Sequence, residues 1–183
     1  MTDDDLVAQA QAGSQEAWAE LVHRHHGAVF RTAHAALLSR EEADDAAQEA
    51  WVAAWRALGE FRGQASVRTW LLTIAWRKAL DRRRGVVAWW RALRLDATPD
   101  DEVAPRLELV AVDRSAEAQV IGREQRRRLQ RLVRGLPRTH RDALLIAATG
   151  DMPYADAAAL LGIPVGTLKW RVSEARRLLR ERM

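Results

Sequence analysis

The residue types best suited to reading a partner's chemistry lie near the C-terminus, in YADAAALLGIPVGTLKWRVSEARRLL. A short apolar helix, a tight turn and a longer basic helix follow one another there, which is the order of a helix-turn-helix. Ala158 stands four residues before Gly162, where two helices must approach closely, and Gly162 supplies the turn. Leu168, Val172, Ala175 and Leu179 share one stripe and predict the buried side of the last helix. Lys169, Trp170, Arg171, Ser173, Glu174, Arg176 and Arg177 are left to point elsewhere. In a major groove, Lys donates to guanine and Glu accepts from cytosine. Arg171, Arg176 and Arg177 suit phosphates, which fix register without reading sequence. The competing reading is an ordinary helical hairpin with a basic exposed face.

Two further groups of residues stand out upstream. Between Glu42 and Leu58, Ala43, Ala47, Ala50, Trp51, Ala54 and Leu58 form an apolar stripe, and Asp45, Gln48, Glu49, Val52 and Trp55 lie opposite. A large aromatic on an acidic face predicts a protein-contact surface. Gly59 is expected to end that helix. After the polar loop Arg62, Gly63 and Gln64, Ser66 is expected to cap the next one. Val67, Trp70, Leu71, Ile74 and Lys78 share a stripe there, which predicts Trp70 in the core. Arg77, Lys78, Arg82, Arg83 and Arg84 then occupy five of eight positions. Cations near a helix C-terminus complement its dipole, but this density exceeds that need and points to nucleic acid.

Catalytic chemistry is poorly served. The chain has no Cys, which removes thiolate metal sites and cysteine nucleophiles, and nothing pairs carboxylates or a base with a nucleophile as an enzyme would require. His23, His25 and His26 cluster, yet no acidic or thiolate partner sits at matching spacing, so no metal and no cofactor is expected.

The elements that must position these groups are helices. Apolar residues recur at three-and-four spacing, and Ala, Leu, Arg and Glu dominate, so the expected fold class is all-α. The 183 residues, 48% hydrophobic and 30% charged, suit two small globular domains. Net charge by segment is −7 for 1–60, +8 for 61–95, −5 for 96–122 and +8 for 123–183. Two basic blocks separated by an acidic one suggest two polyanion-binding surfaces. Pro99, Pro105 and the run Asp100, Asp101, Glu102 predict an acidic flexible linker over 89–115. The expected domains are therefore 1–88 and 116–183, the second broken at Pro137, at Gly150 with Pro153, and at Gly162 with Pro164 into about four helices. An acidic start without an apolar stretch predicts no signal peptide, no membrane insertion and a cytoplasmic location.

Three segments, EADDAAQEAWVAAWRAL, FRGQASVRTWLLTIAWRKALDRRR and LPRTHRDALLIAATGDMPYADAAALLGIPVGTLKWRVSEARRLL, resemble in order and spacing the extracytoplasmic-function (ECF) class of bacterial sigma factors, in the sigma-70 family. The resemblance implies a transcription initiation factor that binds RNA polymerase core through its beta-prime and beta subunits and helps open promoter DNA, without a catalytic step or a small-molecule substrate. It implies that Asp45, Gln48, Glu49 and Trp55 meet a coiled coil of beta-prime. Phe61, Arg62, Gly63, Gln64, Ala65 and Ser66 match the segment that captures a flipped base of the minus-10 element, with Arg68, Arg77, Lys78, Arg82 and Arg83 on the separated strand's phosphates. Thr167, Lys169, Trp170, Ser173 and Glu174 fall where relatives meet the minus-35 duplex, with Arg171 and Arg176 near phosphates. Trp170 stands where a small polar residue is common, and Arg77 where many relatives carry Asn, so no relative's promoter sequence transfers. The acidic linker would thread toward the RNA exit path. An anti-sigma factor clamped between the domains is a further implied partner. A rival from another class is a stand-alone helix-turn-helix regulator whose first domain senses or dimerises; it leaves the Asp45 to Trp55 face without a role.

Overall fold

The computed structural model describes residues 1–92, 128–129 and 131–183. The chain divides into two compact units, Met1–Ala104 and Pro105–Met183. Among the described residues every regular element is helical. Helix α1 is Asp3–Gln11, α2 is Gln15–Leu37, α3 is Arg40–Ala57 and α4 is Val67–Ala92. In the second unit α5 is Arg138–Ala148, α6 is Tyr154–Leu160 and α7 is Val165–Arg182, preceded by helical residues at 131–134.

The four helices of the first unit begin at hydroxyl caps. Thr2 and Asp5 form a capping box, with the Thr2 hydroxyl accepting from the Asp5 amide at 3.2 Å and the Asp5 carboxylate accepting from the Thr2 amide at 2.8 Å. Ser14, Ser39 and Ser66 accept from the amides of Ala17, Glu42 and Thr69, each satisfying one orphan donor of its helix. Helices α5, α6 and α7 instead follow Pro137, Pro153 and Pro164, whose fixed φ sets the chain for entry.

Helices α2, α3 and α4 pack on one another, and α1 lies against α2. The inner face of α3 is all alanine: Ala43, Ala46, Ala47, Ala50 and Ala54 are buried, and such small side chains let α2 and α4 come close. Leu38 and Ser39 alone join α2 to α3. Leu38 takes a left-handed backbone with φ 58° and donates its amide to the His34 carbonyl at 2.8 Å. That conformation costs a leucine about 1–2 kcal/mol, and burial of its side chain offsets the strain.

Three expectations need correction here. Trp70 and Ile74 are only half-buried; the face of α4 that fills the core is Val67, Leu71, Leu72, Ala75, Trp76 and Ala79. A helix packed on two neighbours buries a broad arc, and periodicity does not rank positions within it. Helix α4 also runs through to Ala92, past the boundary expected at residue 88. Gly59 does not stop α3 outright, because Leu58–Glu60 continue as a 3-10 turn that buries Leu58. Pro99, Pro105, Asp100, Asp101, Glu102 and the start of the second domain near 116 lie outside the described residues.

Candidate functional site

The stripe on α3 has an outer side as the sequence predicts. Asp45, Gln48, Glu49, Val52 and Trp55 are all exposed, Val52 at 51% and Trp55 at 44%. The first four line a groove of about 510 Å³, together with Ala53, Arg56, Lys78 and Arg82. Arg82 of α4 crosses this groove to Asp45 at 2.8 Å and Glu49 at 2.5 Å. Residues expected to serve two separate partners are therefore ion-paired with each other. Each exposed pair is worth about 0–1 kcal/mol, so a competing charge can displace it.

Trp55 does not stand alone. Trp18 of α2 lies 5.1 Å from its ring centroid and 5.6 Å from that of Trp51, edge to face in the second case. Trp51, expected in the buried stripe, is half-buried in this cluster. Trp18 was not singled out from sequence, since the contact joins α2 to α3 and no local spacing reports it. The cluster braces Trp55 from behind and leaves it facing outward.

The loop after α3 is held in place by distant groups. Gln11 of α1 donates to the carbonyls of Leu58 at 2.8 Å and Phe61 at 3.2 Å. Phe61 packs on Trp70, with centroids 4.9 Å apart at 44°, so Trp70 joins the loop rather than the core. Gly63 adopts φ +68°, a conformation glycine takes freely. Arg62, Gly63, Gln64, Ala65 and Ser66 are exposed, and Arg62 donates to the Gly59 carbonyl at 3.1 Å. Helix α1 is anchored through Asp3, which meets His25 Nε2 at 2.7 Å and Arg24 at 3.3 Å. His25 is thus a buried structural residue with an acidic partner far away in sequence, while His23 and His26 are exposed. Among the described residues no group of three His, Cys, Asp or Glu could hold a metal ion.

On α4, Arg77 is exposed, Arg68 and Lys78 are partly so, and Arg84 pairs loosely with Asp81 at 3.5 Å. Arg83 is half-buried and donates to the Ala36 carbonyl at 3.3 Å, where it satisfies a free carbonyl in the last turn of α2.

In the second unit α6 ends in a Schellman motif: the Ile163 amide donates to the Ala158 carbonyl at 3.0 Å and the Gly162 amide to Ala159 at 3.1 Å. Gly162 has φ +65°. Ala158 and Ala157 are buried against α7, whose core residues are Leu168, Val172 and Ala175; Leu179 is only half-buried. Lys169, Trp170, Ser173 and Arg176 are exposed, and Thr167, Arg171 and Glu174 are partly exposed. Glu174 accepts from Arg177 at 2.7 and 2.9 Å, and Arg177 also holds Glu181. The Arg177 guanidinium keeps the Glu174 carboxyl below the usual carboxylate range, so Glu174 stays an acceptor. His140 of α5 sits against Trp170, with centroids 5.4 Å apart at 62°; sequence alone does not reveal this brace.

Comparison with known proteins defines the class. Residues 21–91 match Sigma-70 region 2 and residues 126–179 match Sigma-70, region 4. ECF RNA polymerase sigma factor SigM of Mycobacterium tuberculosis is 34% identical over 175 residues, covering 96% of this chain and 81% of that protein. The ECF RNA polymerase sigma-E factor of Escherichia coli K12 is 31% identical over 183 residues, covering 96% and 91%. The solved structure of CnrH in complex with the cytosolic domain of CnrY superimposes with a TM-score of 0.65 at 26% identity, covering 98% of this chain and 95% of that one. The chain belongs to the ECF RNA polymerase sigma factors of the sigma-70 family. It is a promoter-specific transcription initiation factor, an RNA polymerase subunit in a family known for binding rather than enzymatic roles. No helix among the described residues is long and apolar enough to cross a membrane.

Proposed function

We propose that this sigma factor docks on polymerase core through the outer side of α3, holds the minus-10 element with the loop 61–66 and the basic end of α4, and reads the minus-35 element with α7. The observation that carries this assignment is the α3 face itself: Gln48 and Val52 are exposed along a groove lined by both carboxylates and cations, and Trp55 is exposed on the same helix, packed against Trp18. Braced aromatic groups beside charge are the usual anchors of protein interfaces.

Asp45 and Glu49 attract a basic partner surface once Arg82 yields them, and the released Arg82 joins Arg77 and Lys78 beside the separated strand. Phe61, backed by Trp70, offers a ring on which an extruded base can stack. Arg83, already bonded to the end of α2, contributes chiefly by fixing α4. On α7, Lys169, Ser173 and Glu174 face base edges with Thr167, while Arg171 and Arg176 meet phosphates. Strand opening in this scheme draws on binding energy, and no bond is made or broken by the chain. The domains acting in it are a first one that runs through the end of α4 at Ala92 and a second over 116–183, joined by the acidic linker between them. The likeness to CnrH, solved with the cytosolic domain of CnrY, supports an anti-sigma partner covering these surfaces in a cytoplasmic protein.

Size exclusion with sigma-free core polymerase tests the docking face. The wild-type chain should co-elute, and Gln48→Ala with Trp55→Ala should weaken binding by more than ~10-fold, the scale of losing an interface anchor. Equal binding by the variant would remove α3 from the interface. Failure of the wild type to bind would favour a stand-alone DNA-binding regulator.

A further inference from the structure

The most exposed large apolar group on α7 is an aromatic set among polar residues. Trp170 leaves 59% of its surface open, between the exposed Lys169 and Ser173. It takes no part in the core, which Leu168, Val172 and Ala175 fill. His140 braces the ring from α5, so the indole is restrained while most of it stays open.

A single exposed aromatic is common and by itself carries no meaning. Its position on a helix that reads duplex DNA gives it one. The major groove of an unmodified duplex displays hydrogen-bond donors, acceptors and one kind of apolar group, the 5-methyl of thymine. A restrained indole at that surface finds a complementary apolar partner only there. We infer that Trp170 makes the upstream promoter element of this protein depend on a thymine, through contact between the indole ring and the thymine methyl. The inference deepens the assignment of α7 to the minus-35 duplex and rests on it. Lys169, one residue before, would then read a neighbouring guanine.

Deoxyuridine isolates the methyl, because it keeps every hydrogen-bonding group of thymine and lacks only that carbon. Holoenzyme would be assembled from sigma-free core and the full chain, and promoters found by mapping transcript starts on genomic fragments. Upstream duplexes carrying deoxyuridine at each thymine in turn would be compared in competition binding at one fixed salt concentration, since affinity for DNA varies steeply with salt. One substitution should weaken wild-type binding by ~3- to 10-fold, the scale of burying one methyl-sized group. Trp170→Ala should bind thymine and deoxyuridine forms equally, and Trp170→Leu should retain part of the discrimination. Both variants should keep the wild-type thermal midpoint, because the side chain is mostly exposed. A scan in which no position distinguishes wild type from Trp170→Ala would overturn the inference and leave α7 as the duplex reader. Holoenzyme indifferent to the whole upstream duplex would overturn both.

Discussion

Trp76→Ala should cost the first unit about 3–5 kcal/mol, the range for deleting a buried large aromatic, and lower its urea midpoint more than any change on the outer face of α3. Trp76 is 1% exposed at the centre of α4, and the unit has few large side chains to share its role. Ala43, Ala46, Ala47, Ala50 and Ala54 line the facing side of α3, and alanine cannot expand into a void. A small domain holds only about 5–15 kcal/mol in total, so core polymerase binding should fall with the fold even though Trp76 touches no partner. Among the described residues the buried Trp76 Nε1 has no hydrogen-bond partner. Trp76→Phe, which removes that unpaired donor and keeps a ring, should therefore cost far less than Trp76→Ala. Far-UV circular dichroism against urea measures both. A Trp76→Ala midpoint no lower than that of Trp70→Ala would show that the core has been wrongly located.

Gly162→Val should destabilise the second unit by about 1–3 kcal/mol, the cost of forcing a branched residue into a left-handed backbone. A Cβ at position 162 would meet nothing within 4 Å, so the requirement is conformational and not one of space. Gly162→Asn, which tolerates that conformation, should lose less than half as much. The consequence reaches function through geometry. The turn after Gly162 sets the angle at which Pro164 starts α7, and α7 carries Lys169, Trp170 and Ser173 together. Thermal unfolding followed by circular dichroism measures the difference, and equal midpoints for the Val and Asn variants would refute the argument from φ.

The helices, and the outer face of α3, were legible because each is a local pattern: an alanine stripe, a serine cap, a glycine before a proline. Asp45, Gln48, Glu49 and Trp55 follow from a period of 3.6 residues alone. What escaped was long-range. Trp18 meets Trp55 across two helices, Gln11 ties down a loop some 50 residues away, Asp3 reaches His25, and His140 finds Trp170. Charge was the least transparent. A run of arginines reads as one basic surface, yet Arg82 neutralises Asp45 and Glu49, Arg83 ends α2 and Arg177 binds Glu174 and Glu181. The cations of α4 and α7 are thus divided between holding helices together and meeting a partner, and spacing does not tell which is which.

Promoter selection by this chain is read most directly from where polymerase starts transcription. Sigma-free core polymerase, the purified chain and fragmented genomic DNA would be combined in vitro and the 5′ ends of the transcripts mapped. Discrete start sites that require the chain and share two sequence elements upstream are expected, with Lys169→Ala altering the farther one alone. Start sites scattered as they are with core polymerase by itself would contradict promoter selection by the chain.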